Sequence, residues 1–437
     1  MNPTPSAEDE VVDLCRDLIR IDTTNTGDTA TSAGEREAAE YVAEKLSEVG
    51  LDVFMTESEP RRASVVTRIE GADRSRPALL QHGHLDVVPA EAADWSVDPF
   101  GGEIRDGYLW GRGAVDMKDM DAMILALVRQ WRRTGTKPPR DVVVAFLADE
   151  EAGGLLGAHH LVDHHPELFE GCTEGISEVG GFSVSISDEN RLYFIETAQK
   201  GLGWMKLTAK GRAGHGSMVA GDNAVTALAE AVAAIGRHEF PLVMTDTVAA
   251  FLTEAGRALG IEVDLDNPEQ MIDKLGPVAR MVIPTTRNTA NPTMLQAGYK
   301  ANVVPATAHG VVDGRFLPGQ QEQFEAAIDA LLGPTVTREW ITCQPAIETT
   351  FDGDLVAAMV AALKAEDPGA HPVPYMLSAG TDAKAFARLG IRSFGFAPLR
   401  LPADFDFPAA FHGTDERVPV DAVRFGVRVL EQFFARC

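Results

Sequence analysis

Hydrophobic and polar positions form two different patterns along the first 165 residues. Segments with the helical period predict amphipathic helices, and short continuous apolar runs predict buried strands. The predicted helices cover residues 8–20, 34–49, 117–131 and 152–165, and the predicted strands cover residues 64–69, 78–81 and 142–147. The order Ser32-Ala33-Gly34-Glu35 has the form of a capping box before the second helix. Because strands alternate with helices, we expect an α/β fold with a mixed, mostly parallel sheet flanked by helices.

The pattern changes near Ala198, where alternating residues replace the apolar runs. Alternation is typical of half-exposed strands. In chain order the predicted elements are a strand at 203–209, a helix at 223–237, strands at 293–299 and 309–316, a helix at 320–332 and a strand at 338–343. This order predicts a small α+β domain of the ferredoxin-like kind. Residues 239–292 are extra to that pattern.

The α/β pattern resumes at Phe351 and ends in an amphipathic helix at residues 420–436. The small domain, residues 199–345, is therefore expected as an insertion into a larger domain. That larger domain is expected to be formed by residues 1–198 and 346–437.

Length and charge narrow the classes of protein that this chain fits. The 437 residues are more than one hydrophobic core normally serves, which agrees with two domains. A formal charge of −26 argues against nucleic acid and anionic membranes as partners, because both need a basic surface. An anionic substrate would have to be held by local cations.

The cysteines and the N-terminal residues indicate the cellular compartment in which the protein is expected. Four scattered cysteines form no C-x-x-C motif and suggest no disulfide framework. The first ten residues have neither the basic nor the apolar region of a signal peptide, and no apolar stretch has the length of a membrane span. We expect a cytoplasmic protein.

Acidic and histidine residues lie where the predicted strands end. Asp149-Glu150-Glu151 follows the apolar run 142–147, and adjacent carboxylates beside a buried strand need a cation or a proton. The other candidates are His84, Asp86, Asp116, Glu178 and His412. This set suits two divalent metals with one carboxylate left as a base, which predicts a two-metal amide hydrolase. Zinc fits such ligands best, and manganese or cobalt also fit.

A series of short motifs runs in order over nearly the whole chain, and each motif alone is weak. They are H-x-D-x-V-P at residues 84–89, G-R-G-x-x-D-x-K at 111–118, D-E-E at 149–151, E-x-G-G in outline at 178–181, G-x-x-G-H-x-S at 211–217, N-V-x-P at 302–305, D-x-R-x-x-P-G at 313–319, G-T-D at 380–382 and H-G-x-x-E at 412–416. Together these motifs resemble the metallopeptidase family of carboxypeptidase G, carboxypeptidase S, aminoacylase, peptidase T and succinyl-diaminopimelate desuccinylase.

The resemblance implies a role for each candidate residue in the larger, catalytic domain. Asp116 would bridge two metal ions, and a cis peptide is expected after it. One ion would also be held by His84 and Glu178, and the other by Glu151 and His412. Asp86 would fix the tautomer of His84, and Glu150 would be the general base.

The resemblance also implies that the inserted domain is a lid and forms a homodimer. His215 would reach the active site of the neighbouring subunit and bind the substrate carbonyl oxygen. Asn302 and Arg315 would hold the substrate carboxylate, for which arginine is a natural partner. Gly380 and Thr381 would line the same pocket.

Several of these residues have structural alternatives. Glu178 could be a surface carboxylate, and Arg315 could simply pair with Asp313. His82 is expected outside the metal ligands, and Asp382 is expected to cap the next helix. The histidines at 159, 160, 164 and 165 have helical spacing but are not expected to bind metal.

The leading hypothesis is a metal-dependent exopeptidase, a dipeptidase or carboxypeptidase, that cleaves an amide beside a free carboxylate. The alternative is an N-acyl-amino-acid amidohydrolase that uses the same site. The substrate is thus a small peptide or an N-acyl amino acid. The long segment 239–292 resembles the carboxypeptidase S and aminoacylase side of the family. A catalytically inactive binding protein is disfavoured by the complete ligand set, and a serine hydrolase by the lack of G-x-S-x-G.

Overall fold

The computed structural model describes residues 5–437 and divides into two compact units. The larger unit runs from the start of the described chain to Thr197 and includes Thr349–Tyr375 and Thr381–Cys437. The smaller unit comprises Ala198–Glu348 and Met376–Gly380.

Thirteen α-helices lie in the described residues. They are α1 (Ala7–Arg20), α2 (Arg36–Ser47), α3 (Lys118–Thr134), α4 (Ala158–His164), α5 (Ala224–Arg237), α6 (Asp246–Leu259), α7 (Pro268–Lys274), α8 (Ala279–Val282), α9 (Gln321–Leu331), α10 (Asp354–Glu366), α11 (Ala383–Ala387), α12 (Phe407–Ala410) and α13 (Val420–Phe434).

Nineteen strands accompany them in the same part of the chain. They are β1 (Phe54–Glu57), β2 (Ala63–Ile69), β3 (Ala78–His84), β4 (Glu103–Arg105), β5 (Tyr108–Trp110), β6 (Val142–Leu147), β7 (Cys172–Ser177), β8 (Phe182–Ser185), β9 (Arg191–Gln199), β10 (Gly201–Lys210), β11 (Gly214–His215), β12 (Thr289–Ala297), β13 (Val303–Val304), β14 (Thr307–Phe316), β15 (Val336–Gln344), β16 (Ile347–Glu348), β17 (Ala370–Leu377), β18 (Arg392–Gly395) and β19 (Arg417–Pro419).

The main sheet has the order β1-β2-β6-β3-β7-β18-β9-β16. Its centre, β6-β3-β7-β18, is parallel, and β1 and β2 on one side and β9 and β16 on the other are antiparallel. Every residue of β3 and β6 is buried, as expected for parallel strands covered on both faces. Helices α1, α3 and α13 pack against one another, and α4 packs against α11. The predicted α/β class with a mixed sheet is confirmed.

Two local predictions in this unit are wrong. The capping box belongs to α1, where Ser6 and Asp9 cap each other's backbone, whereas α2 begins after Glu35 without a side-chain cap. The helix predicted over residues 152–165 begins only at Ala158. The glycines before it form a turn instead, and a Cβ at Gly157 would lie 1.7 Å from the carbonyl oxygen of Ala148.

The smaller unit contains an antiparallel sheet of order β12-β14-β10-β15. In chain order its elements are β10, α5, β12, β14, α9 and β15, with an additional two-stranded antiparallel sheet of β11 and β13. Helix α5 contacts all four strands, and the apolar cluster on this side includes Leu228, Val312 and Phe324. Residues 239–292 form α6, α7, α8, short 3₁₀ turns and the first residues of β12. None of the helices within residues 5–437 is both long and apolar enough to cross a bilayer.

Candidate metal centre

Five His and carboxylate side chains form two groups that share one member. His84, Asp116 and Glu178 are one group, and Asp116, Glu151 and His412 are the other. In each group the potential ligand atoms lie within 4.8 Å of one another. The two oxygens of Asp116 face different histidines, at 3.1 Å from His84 Nε2 and 3.2 Å from His412 Nε2. The sequence-predicted ligands are therefore brought together, with Asp116 between the two groups.

The parallel strands of the main sheet explain why these residues meet. His84 ends β3, Glu178 follows β7, and Glu151 follows β6. Because these three strands are parallel neighbours, their carboxyl ends lie at one edge of the sheet. Asp116 precedes α3, and the Asp116–Met117 peptide is cis, as predicted.

The position of His412 depends on an ion pair that connects distant motifs. Arg112 Nη1 lies 2.6 Å from Glu416 Oε2, and Nη2 donates to the carbonyl oxygen of His412 at 3.3 Å. The other carboxylate oxygen of Glu416 accepts the N–H of Val115 at 2.8 Å. Thus the G-R-G and H-G-x-x-E motifs hold His412 and the segment before Asp116 together.

Asp86 lies behind His84, although its contacts differ from the simplest expectation. The ring nitrogen Nδ1 of His84 donates to the backbone carbonyl of Asp86 at 2.9 Å, whereas the nearest carboxylate oxygen is 3.5 Å away. The carboxylate instead accepts the backbone N–H groups of Glu150 and Glu151, each at 3.1 Å. Asp86 therefore links the His84 strand to the Glu150 turn.

Glu150 belongs to neither ligand group. Its Oε2 lies 4.0 Å from His84 Nε2, and its side chain is 15% exposed. Burial, followed by the charge of Glu178, raises its pKa well above the usual range for a glutamate. A carboxyl group beside the ligands but outside both groups is suited to proton transfer.

The ligand groups contain several buried carboxylates, whose negative charge needs to be neutralised by cations or protons. Burial, followed by Asp116, raises the pKa of Glu151 to about 7, and burial also raises that of Glu178. Contacts with Asp116 and Glu151 raise the pKa of His412 to about 10. Oε1 of Glu151 is buried without a hydrogen-bond partner. Two divalent ions would satisfy this orphan oxygen and neutralise the buried carboxylates, so the residues fit a two-metal site.

The remaining predictions for the larger unit concern residues outside the two ligand groups. His82 is buried against the Phe386 ring, with centroids 4.8 Å apart, and lies outside both ligand groups. The predicted cap by Asp382 is wrong, because α11 begins without a bond to that side chain and Thr381 Oγ1 accepts the N–H of Ala383. Within residues 5–437 the histidines at 159, 160, 164 and 165 belong to no metal-ligand group, and His159 contacts Arg388.

The residues predicted to contact the substrate lie in several parts of the structure. His215 is exposed in β11, 2.9 Å from Ser217 Oγ, and the carbonyl of Asn302 accepts the N–H of Gly216. Arg315 makes a bidentate contact with Asp313, at 2.7 and 3.2 Å. The structural alternative for Arg315 is thus observed, while its role toward a substrate stays a prediction. Gly380 belongs to the smaller unit and Thr381 to the larger one.

Comparison with known proteins identifies the family. Residues 80–436 match the profile of Peptidase family M20/M25/M40. The chain is 26% identical over 444 residues to the N-fatty-acyl-amino acid synthase/hydrolase PM20D1 of Xenopus tropicalis, covering 97% of this chain and 84% of that protein. It is 27% identical over 406 residues to aminoacylase-1 of Sus scrofa, covering 91% of this chain and 89% of that protein.

A solved structure shows the same fold at lower identity. The M20 family metallo-carboxypeptidase Sso-CP2 from Sulfolobus solfataricus superposes with a TM-score of 0.72 at 18% identity, covering 98% of this chain and 99% of that chain. The chain belongs to Peptidase family M20/M25/M40. The predicted family, and with it the class of metal-dependent hydrolase acting on amide bonds, is confirmed.

Proposed function

We propose that the protein is a two-metal exopeptidase, a dipeptidase or carboxypeptidase, that cleaves an amide bond beside a free carboxylate. The observation that carries this proposal is Asp116, whose two oxygens face His84 and His412 in separate ligand groups. Glu150 beside these groups supplies the free carboxylate that hydrolysis needs.

Five residues would hold the two metal ions. His84, Asp116 and Glu178 would hold one ion, and Asp116, Glu151 and His412 the other. When bound, two such ions polarise the scissile carbonyl and lower the pKa of the attacking water. Zinc suits the His and carboxylate ligands best, and manganese or cobalt also fit.

Glu150 moves the protons in this proposal. Its carboxylate takes the proton from the attacking water and later gives it to the leaving nitrogen. Asp86 keeps the N–H groups of Glu150 and Glu151 in place and so orients the turn that carries them. His84 keeps its proton on Nδ1, toward the carbonyl of Asp86, and offers Nε2 to the ligand group.

Aminoacylase activity is the second candidate. The two relatives described above are named for N-acyl amino acids, and they align with nearly the whole chain. Both activities use the same ligands and the same base. They differ in the group before the scissile bond, which is a free amine in a dipeptide and an acyl chain in the alternative.

The smaller unit is proposed to form a homodimer. Strand β12 is an edge strand, and Met294 and Leu295 on it are 66% and 62% exposed. A long exposed edge with apolar side chains is suited to pairing with a second copy. In such a dimer His215 would serve the partner's site, where its N–H would stabilise the developing oxyanion, and Asn302 and Arg315 would hold the substrate carboxylate. Cysteines that form no disulfide among residues 5–437 suit a cytoplasmic location.

A matched substrate panel tests the proposal. Ala-Leu, N-acetyl-Leu and N-palmitoyl-Leu share one leaving residue and differ only in the acyl part, and Ala-Leu-amide lacks the free carboxylate. We expect Ala-Leu to be hydrolysed fastest and its amide at least about tenfold more slowly, as for loss of a charged contact. Faster hydrolysis of the N-acyl compounds would support the aminoacylase alternative, and equal hydrolysis of the amide would contradict the carboxylate requirement.

A further inference from the structure

A buried ion-pair network lies behind the turn that carries Glu150. The guanidinium of Arg62, which is 2% exposed, contacts two carboxylates that are also buried. Its Nη1 lies 2.6 Å from Glu35 Oε1, and its Nη2 donates to Asp149 Oδ1. Asp149 is the residue immediately before Glu150, so this cation acts directly on the start of the turn.

Asn25 and Asp86 extend the network to the backbone of the turn. The amide of Asn25 donates to Asp86 Oδ2 at 2.8 Å and to Asp149 Oδ1 at 3.3 Å. The carboxylate of Asp86 accepts the N–H of Glu150, and Asp149 Oδ2 accepts the N–H of Leu156 at 2.8 Å. Both ends of the turn are thus tied to buried side chains.

The backbone at Asp149 needs such support. Its φ is 71°, in the left-handed region that a non-glycine residue seldom adopts. Conformations of this kind are energetically unfavourable and persist where surrounding contacts fix them. Here the contacts from Arg62, Asn25 and Leu156 fix the Asp149 side chain, and this directs the following residue toward the ligand groups.

Stability alone does not account for the network. Replacing all partners of a buried ion pair together with apolar residues of similar volume is often neutral or stabilising, whereas removing one partner alone is destabilising. We propose that Arg62 is a positioning residue for Glu150, because it holds Asp149, and through Asp149 the turn, in the geometry that places the base beside His84. This inference rests on the proposed role of Glu150.

The test uses Arg62→Met and a matched control in the same unit. Arg191 makes a bidentate contact with buried Asp367 and also donates to two backbone carbonyls, and these partners lie outside the turn and the ligand groups. Arg191→Met therefore removes another buried cation, one that lies elsewhere in the same unit. We expect Arg62→Met to lower kcat by about 10- to 100-fold, as for residues that orient a metal centre, with KM and metal content unchanged. Arg191→Met should lower the urea midpoint but keep kcat.

Arg62→Lys keeps the inference falsifiable if Arg62→Met does not fold. Lysine keeps the charge but lacks the fork that contacts both carboxylates. We expect an intermediate kcat at a metal content equal to wild type. A wild-type kcat in Arg62→Lys, or equal losses of kcat in Arg62→Met and Arg191→Met, would overturn the inference. Wild-type turnover in Glu150→Gln would instead remove the proposed role of the base, so the two failures are distinguishable.

Discussion

Gly180→Ala perturbs the segment that carries Glu178, a proposed metal ligand. Gly180 lies against the end of β18, where Ala397 N–H donates to the Gly180 carbonyl at 2.7 Å and Phe396 N–H donates to that of Ser177, also at 2.7 Å. Glu178 lies between these two backbone contacts. Any separation of this turn from β18 must therefore move Glu178 relative to His84.

The required movement follows from the geometry. A Cβ on Gly180 would lie 1.9 Å from the carbonyl oxygen of Gly395, and ordinary van der Waals contact begins at 3.4 Å. The two backbones must therefore separate by about 1.5 Å, or the turn must adopt another conformation, because both partners are main-chain atoms. Overpacking of this kind costs about 1–3 kcal/mol of stability. Metal–ligand distances tolerate only about 0.2 Å, so a shift of this size removes Glu178 as a ligand.

The assay is competition for metal against a chromophoric chelator, combined with urea unfolding. We expect Gly180→Ala to bind one of the two ions about 10- to 100-fold more weakly and to lose about 1–3 kcal/mol of stability. Gly221→Ala is the matched control, since a Cβ there meets no atom within 4 Å. Wild-type affinity for both ions in Gly180→Ala would refute the reasoning.

Three further predictions concern other parts of the molecule. Glu151→Gln should weaken binding of one ion, measured by the same competition, and unchanged binding of both would contradict its ligand role. Mixed chains carrying Glu150→Gln or His215→Ala should regain activity in up to about a quarter of sites after subunit exchange, and no recovery would exclude action in trans. Burial, followed by the charge of Arg315, lowers the pKa of Lys200 to about 7. Between pH 7 and the usual lysine pKa, Lys200 is protonated in the unfolded chain but neutral in the folded one. Because the unfolded chain binds more protons than the folded chain in this range, the free energy of unfolding rises with pH. The stability of wild type relative to Lys200→Met should therefore increase between pH 7 and 9.5 in urea unfolding, and a constant difference would contradict this.

The sequence was sufficient to predict strands from their continuous apolar runs and site residues from their positions at the ends of those strands. Continuous apolar runs identified β2, β3 and β6 because nearly every residue of these strands is buried on both faces of the sheet. His84 and Glu151 could be predicted as ligands because each lies at or beyond the end of such a run. Their meeting at one sheet edge follows from the parallel order of the strands.

Contacts between residues far apart in sequence could not be predicted. Arg62 is 27 residues from Glu35 and 87 from Asp149, and no periodic pattern distinguishes it from the exposed Arg61 beside it. The helix predicted over 152–165 was wrong because glycine backbone packing, at Gly157 against Ala148, outweighs the helical pattern. Asp382 was expected as a cap, a role that Thr381 fills, since neighbouring polar residues have the same cap preference.

Metal content and turnover of Glu150→Gln, measured on the same preparation, test the central claim most directly. The claim is that five residues hold two ions and that Glu150 transfers the proton without being a ligand. We expect about two divalent ions per chain in both wild type and Glu150→Gln, with turnover reduced by at least about 100-fold in the variant. Loss of the ions from Glu150→Gln, or wild-type turnover with both ions bound, would contradict the account.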